Sequence, residues 1–242
     1  MKITTAIITK QIPEKRFLDR LVFAHEIIIV IDQENKKSYT KGKIKYFFHP
    51  LKGNFSAQRN FALSKSVGDW VFFVDDDEVV GTQLAREIIE KTKDTKYSAF
   101  SIPRRDVFFH QVLNHGETGQ TKLVRLARKG AGIFRRSVHE SWAIKGRVGE
   151  ISSPLYHIKD RFLSEFIPRM IQYGSLDAPI LTEENKPFSY TRLFLNPSLK
   201  FIQNYFLRAG FLDGYPGLFQ SLLMSVQSLS VRVFQWTNKN SS

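Results

Sequence analysis

Over the first hundred positions, short apolar runs alternate with stretches in which apolar residues recur every three or four positions. The runs at 2–8, 26–31, 44–48 and 70–74 predict strands, since each is short and carries few polar breaks. Phe17, Leu18, Leu21 and Val22 predict a helix with Pro13 in its opening turn, and 56–66, with Phe61, Ala62 and Lys65, predicts a second. Thr82 to Lys93, carrying Leu84, Ile88 and Ile89, predicts a third, capped by Thr82. Strand and helix alternating in this way predict an α/β fold, a mostly parallel sheet flanked by helices. Trp70-Val71-Phe72-Phe73-Val74 is apolar throughout, as a strand buried on both faces requires.

From about residue 97 the pattern shortens. Strands are expected at 97–103, 122–127 and 133–138, a helix at 161–174, and a polar, proline-containing connector at 179–198. The last block, 199–236, contains a helical pattern: Leu218, Phe219, Leu222, Leu223, Val226, Leu229, Val233, Phe234 and Trp236. A bilayer span needs about 20 predominantly apolar residues. This stretch is too polar, so it either packs on the domain or lies in a membrane interface. The expected division is residues 1–96 and 97–160 as two halves of one domain, and 161–242 as a C-terminal helical appendage.

Composition narrows the classes. With 242 residues, 42% of them hydrophobic and 13% aromatic, the chain has material for a large core, which excludes a disordered tail protein. The absence of cysteine removes disulfide scaffolds, thiolate metal sites and cysteine nucleophiles. Met1 to Lys10 reads as a first strand rather than a secretory leader, and a cytoplasmic protein is expected. The net charge of +13 favours an anionic partner: nucleic acid, an acidic bilayer surface or a phosphorylated small molecule. One acidic island interrupts it, centred on Asp75-Asp76-Asp77-Glu78.

Those acids follow a buried strand directly, and ligands of open α/β sheets bind at the carboxyl ends of strands. Clustered carboxylates supply hard oxygen ligands for Mg or Mn, which can neutralise two phosphates of a nucleotide. Alternation along an extended segment predicts Asp75 and Asp77 on one side and Asp76 on the other. A solvated acidic turn is the competing reading.

Gln58-Arg59-Asn60-Phe61-Ala62-Leu63 and Gly68-Asp69 leading into the strand and its acids resemble family 2 glycosyltransferases of the GT-A fold. Arg125-Leu126, Val138-His139-Glu140, Pro154-Leu155-Tyr156-His157 and Gly210-Phe211-Leu212-Asp213-Gly214 follow in the order of the branch similar to lipopolysaccharide core β-glucosyltransferases. The resemblance implies a GT-A type, Rossmann-like fold and an inverting, metal-dependent transfer from a nucleoside diphosphate sugar, a UDP-sugar favoured. It implies Asp77 as main metal ligand, with Asp75 near the ribose or the metal and His157 as a third ligand or phosphate contact. It further implies Thr9, Asp32, Arg59, Asp75, Asp76 and Arg125 around the nucleotide sugar, with Asp32 at the nucleobase and Arg59 at the diphosphate. Glu140 stands where the family keeps the base that takes a proton from the acceptor hydroxyl, and Trp142 offers a flat surface for a sugar ring. Departures are Thr9-Lys10-Gln11-Ile12 after the first strand, Gln33 to Lys37 after Asp32, and His115-Gly116 without a following tryptophan.

The expected partners are a nucleotide-sugar donor, a lipid-linked or lipopolysaccharide core glycan, and an anionic membrane surface at the inner face of the cytoplasmic membrane. A nucleotidyltransferase acting on a sugar phosphate is the alternative, but residues 1–20 lack the glycines of a triphosphate cradle. A basic nucleic-acid-binding protein would place the acidic island against phosphate, and no nucleic acid is expected.

Overall fold

The computed structural model of the chain describes residues 1–93, 95–137, 140–159 and 162–240. Val138 and His139 of the Val138-His139-Glu140 motif lie outside the described residues. In chain order the main elements are β1 (Ile3–Thr9), α1 (Lys15–Leu18), β2 (Glu26–Ile31), β3 (Tyr39–Lys41), β4 (Ile44–Phe48), α2 (Phe55–Lys65), β5 (Trp70–Phe73), β6 (Glu78–Val80) and α3 (Thr82–Lys93). Then come β7 (Ala99–Phe108), β8 (Gln111–Val112), β9 (Lys122–Arg128), β10 (Gly132–Arg135), β11 (Ser141–Ile144), β12 (Val148–Glu150), β13 (Leu155–Ile158), α4 (Phe162–Glu183), α5 (Tyr190–Ile202) and α6 (Gly214–Asn240). They form two compact units: residues 1–104 with 122–157, and residues 105–121 with 158–242.

The first unit is a mixed, mostly parallel sheet flanked by helices, the fold class expected. Its strands run β3-β4-β2-β1-β5-β9-β7, and β6 pairs antiparallel with β13. The pairs β1–β2, β2–β4 and β1–β5 are parallel, while β9 enters antiparallel between β5 and β7. Period-two alternation sends Ile27, Ile29, Ile31, Trp70 and Phe72 to one face and Ile28, Val30, Val71 and Phe73 to the other. Both faces are covered, which is why these strands are almost wholly apolar. At the amino end of the sheet, buried Glu26 accepts hydrogen bonds from Thr4 Oγ1 (2.7 Å) and Val67 N (3.0 Å) and pairs with Lys45. Gly68 N donates to Thr4 Oγ1 there, and a Cβ on Gly68 would lie 2.7 Å from Thr4 N, so no larger residue fits this approach.

Local details differ from the pattern reading. Asn54 caps α2 by accepting from Ala57 N at 2.9 Å. Thr82 is a helical residue rather than the cap of α3: Ala85 N bonds Gly81 O (3.0 Å), because β6 ends at Val80 and Gly81 makes the turn. Pro13 precedes the first helix instead of sitting in it, since Glu14 is extended and its carbonyl receives Phe17 N and Leu18 N. The strand expected at 133–138 ends at Arg135 and forms a hairpin with β11.

In the second unit the expected connector at 179–198 is mostly helix. α4 continues to Glu183 and α5 begins at Tyr190, with Pro179 and Pro197 inside helices, so the linking segment shrinks to 184–189. α6 packs on both α4 and α5. The loop 105–121 belongs to this unit. His115 donates its backbone N–H to Asp213 Oδ2 (2.8 Å) and sets Nδ1 2.8 Å from Oδ1, while Gly116 N and Glu117 N bond Arg208 O and Asn204 Oδ1.

Candidate active site

The site lies where β1, β2 and β5 end. Val74 N still bonds Ala6 O, and then Glu78 N donates to Asp75 O (3.0 Å), closing a tight turn over the acids. This turn replaces the extended geometry on which the expected alternation rested, and the aspartates separate to different partners. Asp75 Oδ1 receives Arg59 Nη2 at 2.9 Å and Oδ2 receives Arg125 Nη2 at 2.6 Å. Asp76 Oδ2 accepts from Thr9 Oγ1, at the end of β1. Asp77 Oδ2 lies 3.2 Å from His157 Nε2.

Glu78, read from the sequence as part of the acidic cluster, is the buried first residue of β6 and stands opposite His157 in the β6–β13 register. Its Oε2 accepts from Asp75 N (2.9 Å), and its Oε1 holds Arg125 Nη2 (2.9 Å), with Arg104 Nη1 at 3.9 Å. Arg125 thus ties two carboxylates while itself almost fully buried. The sequence pattern groups Glu78 with the acids but gives it no separate role, and it does not point to Arg104. The signal available was Val79-Val80, whose apolar pair makes Glu78 the start of a strand rather than the end of a loop.

Burial alone would raise the pKa of Asp75, but the charges and hydrogen bonds of Arg125 and Arg59 outweigh it and hold the carboxyl well below the usual range. Burial pushes Glu78 up, repulsion from Asp75 adds to this, and Arg125 offsets part of it. Asp76 is also raised, by burial and by its two aspartate neighbours against the Thr9 hydrogen bond. Arg125 is raised despite burial because Asp75 and Glu78 face it.

Arg59, from the second turn of α2, links this cluster to Glu140. Its Nε donates to Glu140 Oε1 at 2.7 Å while its Nη2 serves Asp75. Phe73 and Phe134 wall the guanidinium, 5.4 and 5.6 Å from its carbon, in cation–π contact. Arg59 Nη1 is buried and has no hydrogen-bond partner. Asn60 braces the neighbouring strand by bonding the Phe134 carbonyl and N–H. Trp142 differs from its expected role as a sugar platform: it is buried, stacked on Phe134 (4.8 Å) and edge-on to Phe73 (5.2 Å). Three aromatic rings closing the face of β5 leave no open side for a ligand.

Asp32 ends β2 beside β1, with Asp32 N on Thr9 O, and its Oδ1 accepts from Leu51 N at 2.7 Å. The loop bearing Leu51 is also tied to α2 through Gln58, whose Nε2 bonds His49 O at 2.6 Å. Thr9, Asp32, Arg59, Asp75, Asp76, Asp77, Arg125, Glu140 and His157 therefore all belong to the first unit.

A metal can be tested against these donors. Both oxygens of Asp75 are on guanidiniums, whereas Asp77 and His157 face each other with partial exposure, one oxygen and one imidazole nitrogen. Among the described residues no three His, Cys, Asp or Glu side chains converge as a complete metal cage would. Two protein ligands suit an Mg or Mn site, which keeps waters and takes the rest of its shell from substrate phosphates.

Comparison with known proteins agrees with this architecture. Residues 23–141 match the model of the family described as glycosyl transferase family 2. The chain is 25% identical, over 93% of its length and 83% of the relative's, to an uncharacterised glycosyltransferase of Rickettsia typhi. It is 24% identical to the lipopolysaccharide core biosynthesis glycosyltransferase LpsC of Rhizobium meliloti, over 79% of this chain and 73% of that one. Among solved structures, a mannosyltransferase from Pyrobaculum calidifontis, in complex with GDP-Man and Mn2+, shares the fold with a TM-score of 0.54 at 11% identity, covering 98% of this chain and 88% of that one.

Proposed function

The chain is a glycosyltransferase carrying a family 2 domain over residues 23–141, and from that premise we propose that it moves a sugar, with inversion, from a nucleoside diphosphate sugar to a hydroxyl of a lipid-linked or lipopolysaccharide core glycan. The observation that carries the reading is the single guanidinium of Arg59, which joins Glu140 to Asp75 in the turn that also bears Asp77. Candidate base and candidate diphosphate site are thereby within one side chain of each other. A UDP-sugar is the favoured donor, with Asp32 toward the nucleobase and Thr9 and Asp76 lining the nucleotide. The relation to LpsC motivates the glycan acceptor, met at the inner face of the cytoplasmic membrane.

A sugar hydroxyl is a poor nucleophile at neutral pH, so a carboxylate must take its proton as the new bond forms. Arg59 Nε fixes Glu140 Oε1, and Glu140 Oε2, which accepts no hydrogen bond among the described residues, is the oxygen that takes the proton. Arg59 Nη1 and Arg125 Nε are buried N–H groups without partners, two donors available to a phosphate oxygen on the leaving side. Asp77 and His157 are the residues that would hold Mg or Mn, which when bound supplies Lewis-acid neutralisation of the departing diphosphate. Asp75 positions both arginines, and Glu78 anchors Arg125 from below.

The test is a thermal-shift panel of UDP-, GDP-, CDP- and dTDP-sugars with Mn, read beside nucleotide release. A ligand that binds the folded state raises its apparent stability. The UDP-sugar should give the largest rise, chelation should abolish it, and Asp77→Ala should lose both binding and turnover. Undiminished metal-dependent turnover in Asp77→Ala contradicts the assignment.

A further inference from the structure

The C-terminal unit is built with its apolar surface outward. Along α6, Phe219, Leu222, Val226, Leu229, Val233 and Trp236 are all exposed, at alternating intervals of three and four residues. Such spacing is one helical stripe, here about 26 Å long at roughly 1.5 Å per residue. The opposite side of the same helix is buried and largely polar: Ser221 is 2% exposed, Gln235 3%, Gln220 6% and Arg232 8%, with Val231 buried among them. Sequence periodicity alone left open whether this stripe packs on the domain; the structure turns it away from the helices it touches.

The seams between the helices repeat the inversion. Gln235 Nε2 bonds Thr182 Oγ1 (3.1 Å) and Lys186 O (3.0 Å), held within α6 by Arg232 Nη1 on its Oε1 (2.6 Å), and Ser225 Oγ bonds Pro197 O (2.6 Å). Gly174 of α4 sits so close to α6 that a Cβ would meet Ser230 Oγ at 2.7 Å. Small residues and side-chain hydrogen bonds between helices, with large apolar side chains outside, are how helices pack when hydrocarbon is the solvent. α5 is also apolar outward: Leu195, Leu199 and Ile202 are exposed at intervals of four and three, and Phe194 (72% exposed) and Leu207 (78%) are exposed as well.

Charge selects the occupant. The chain carries a net charge of +13, and within residues 186–240 Lys186, Arg192, Lys200, Arg208 and Lys239 are at least partly exposed, Lys186 on Glu184 and Lys200 and Arg208 on Glu117, whereas Arg232 is buried and Asp213 is buried on His115. A second copy would bring two chains of the same net positive charge together in an isologous contact, which like-charge repulsion opposes. An anionic leaflet supplies both hydrocarbon for the stripe and negative headgroups for a chain of this net positive charge. Among the described residues no helix is long and apolar enough to cross a membrane.

We infer that α5 and α6 seat this unit in one leaflet of an anionic bilayer, with the α6 stripe at the headgroup–acyl boundary. This deepens the membrane-facing part of the proposed function and rests on it only for the acceptor. The experiment uses the full chain with vesicles of phosphatidylcholine alone or mixed equally with phosphatidylglycerol, some brominated in the acyl chain. Trp70 and Trp142 are buried, so acyl-chain quenching reports Trp236. Flotation with the anionic vesicles and quenching of Trp236 are expected. The double variant Leu222→Glu/Leu229→Glu, altered only at exposed positions, should partition at least about a hundredfold more weakly, given roughly 1.5–3 kcal/mol for each buried leucine. Its release of nucleotide from the donor should stay at the wild-type rate. Absence of flotation and quenching, or a tight dimer in analytical ultracentrifugation with no vesicle binding, overturns the inference. Loss of donor turnover in the wild type with flotation intact would instead refute the enzymatic reading.

Discussion

Replacing Arg125 by methionine removes one charge and nearly keeps the side-chain stem. In the native site Arg125 Nη2 meets Asp75 Oδ2 at 2.6 Å and Glu78 Oε1 at 2.9 Å, with Arg125 8% and Glu78 0% exposed on their side chains. Asp75 keeps Arg59, but Glu78 is left with the Asp75 N–H and with Arg104 at 3.9 Å. Breaking a buried pair by deleting one partner costs about 3–5 kcal/mol, because the remaining charge stays desolvated. For a chain of this length that corresponds to a fall in Tm of roughly 6–20 °C. The control is Lys122→Met. Its partner Glu150 is 2.8 Å away, yet both side chains are more than half exposed, so the loss should be under about 1 kcal/mol. Urea unfolding at neutral pH, followed by circular dichroism, measures both. Adding Glu78→Gln to Arg125→Met should recover at least half of the loss, because the amide oxygen can still accept from Asp75 N without a charge. If Arg125→Met is as mild as Lys122→Met, the buried-network account of the site is wrong.

Glu140→Gln preserves an acceptor for Arg59 Nε but cannot take a proton, so kcat should drop by about 10²–10⁴-fold with donor KM near wild type; a change under tenfold in steady-state assays removes Glu140 as the base. Lys45, Thr4 and Val67 hold the Glu26 carboxyl below its ordinary value against the upward push of burial. A depressed folded pKa gives stability that is present above the unfolded pKa of about 4.3 and lost as pH falls through the folded value. Chemical denaturation from pH 7 down to pH 3 should therefore show a shallower decline in Glu26→Gln than in the wild type, on a lower neutral-pH plateau; parallel curves would contradict this.

What the sequence disclosed follows from how local its causes were. Trp70 to Val74 is apolar on every residue and stops at three acids, so both the buried strand and the acidic edge were legible from adjacent positions. The separate fates of Asp75, Asp76 and Asp77 were not, because one backbone hydrogen bond, Glu78 N to Asp75 O, breaks the period of two. Partners as distant as Arg59, Arg125 and His157 are joined only by the sheet order. α5 was hidden by Pro197, which normally argues against a helix interior, and by the polar residues around it. Trp142 followed Glu140 like a ligand platform, but its place is fixed by Phe134, the residue opposite it in the hairpin. The α6 stripe was plain as a pattern. Which side faced the solvent was not, since periodicity gives the same signal for a face turned inward or outward.

Asp77 and His157 are proposed to hold a metal that would neutralise a sugar nucleotide's diphosphate, next to the Arg59–Glu140 pair. A crystal grown with Mn and a non-hydrolysable UDP-sugar, with anomalous data collected at the manganese edge, tests this directly. The account predicts an anomalous peak about 2.0–2.3 Å from an Asp77 oxygen, shared with diphosphate oxygens, and the anomeric carbon turned toward Glu140. A manganese and nucleotide bound elsewhere, with the acids after β5 still closed on their protein partners, would contradict it.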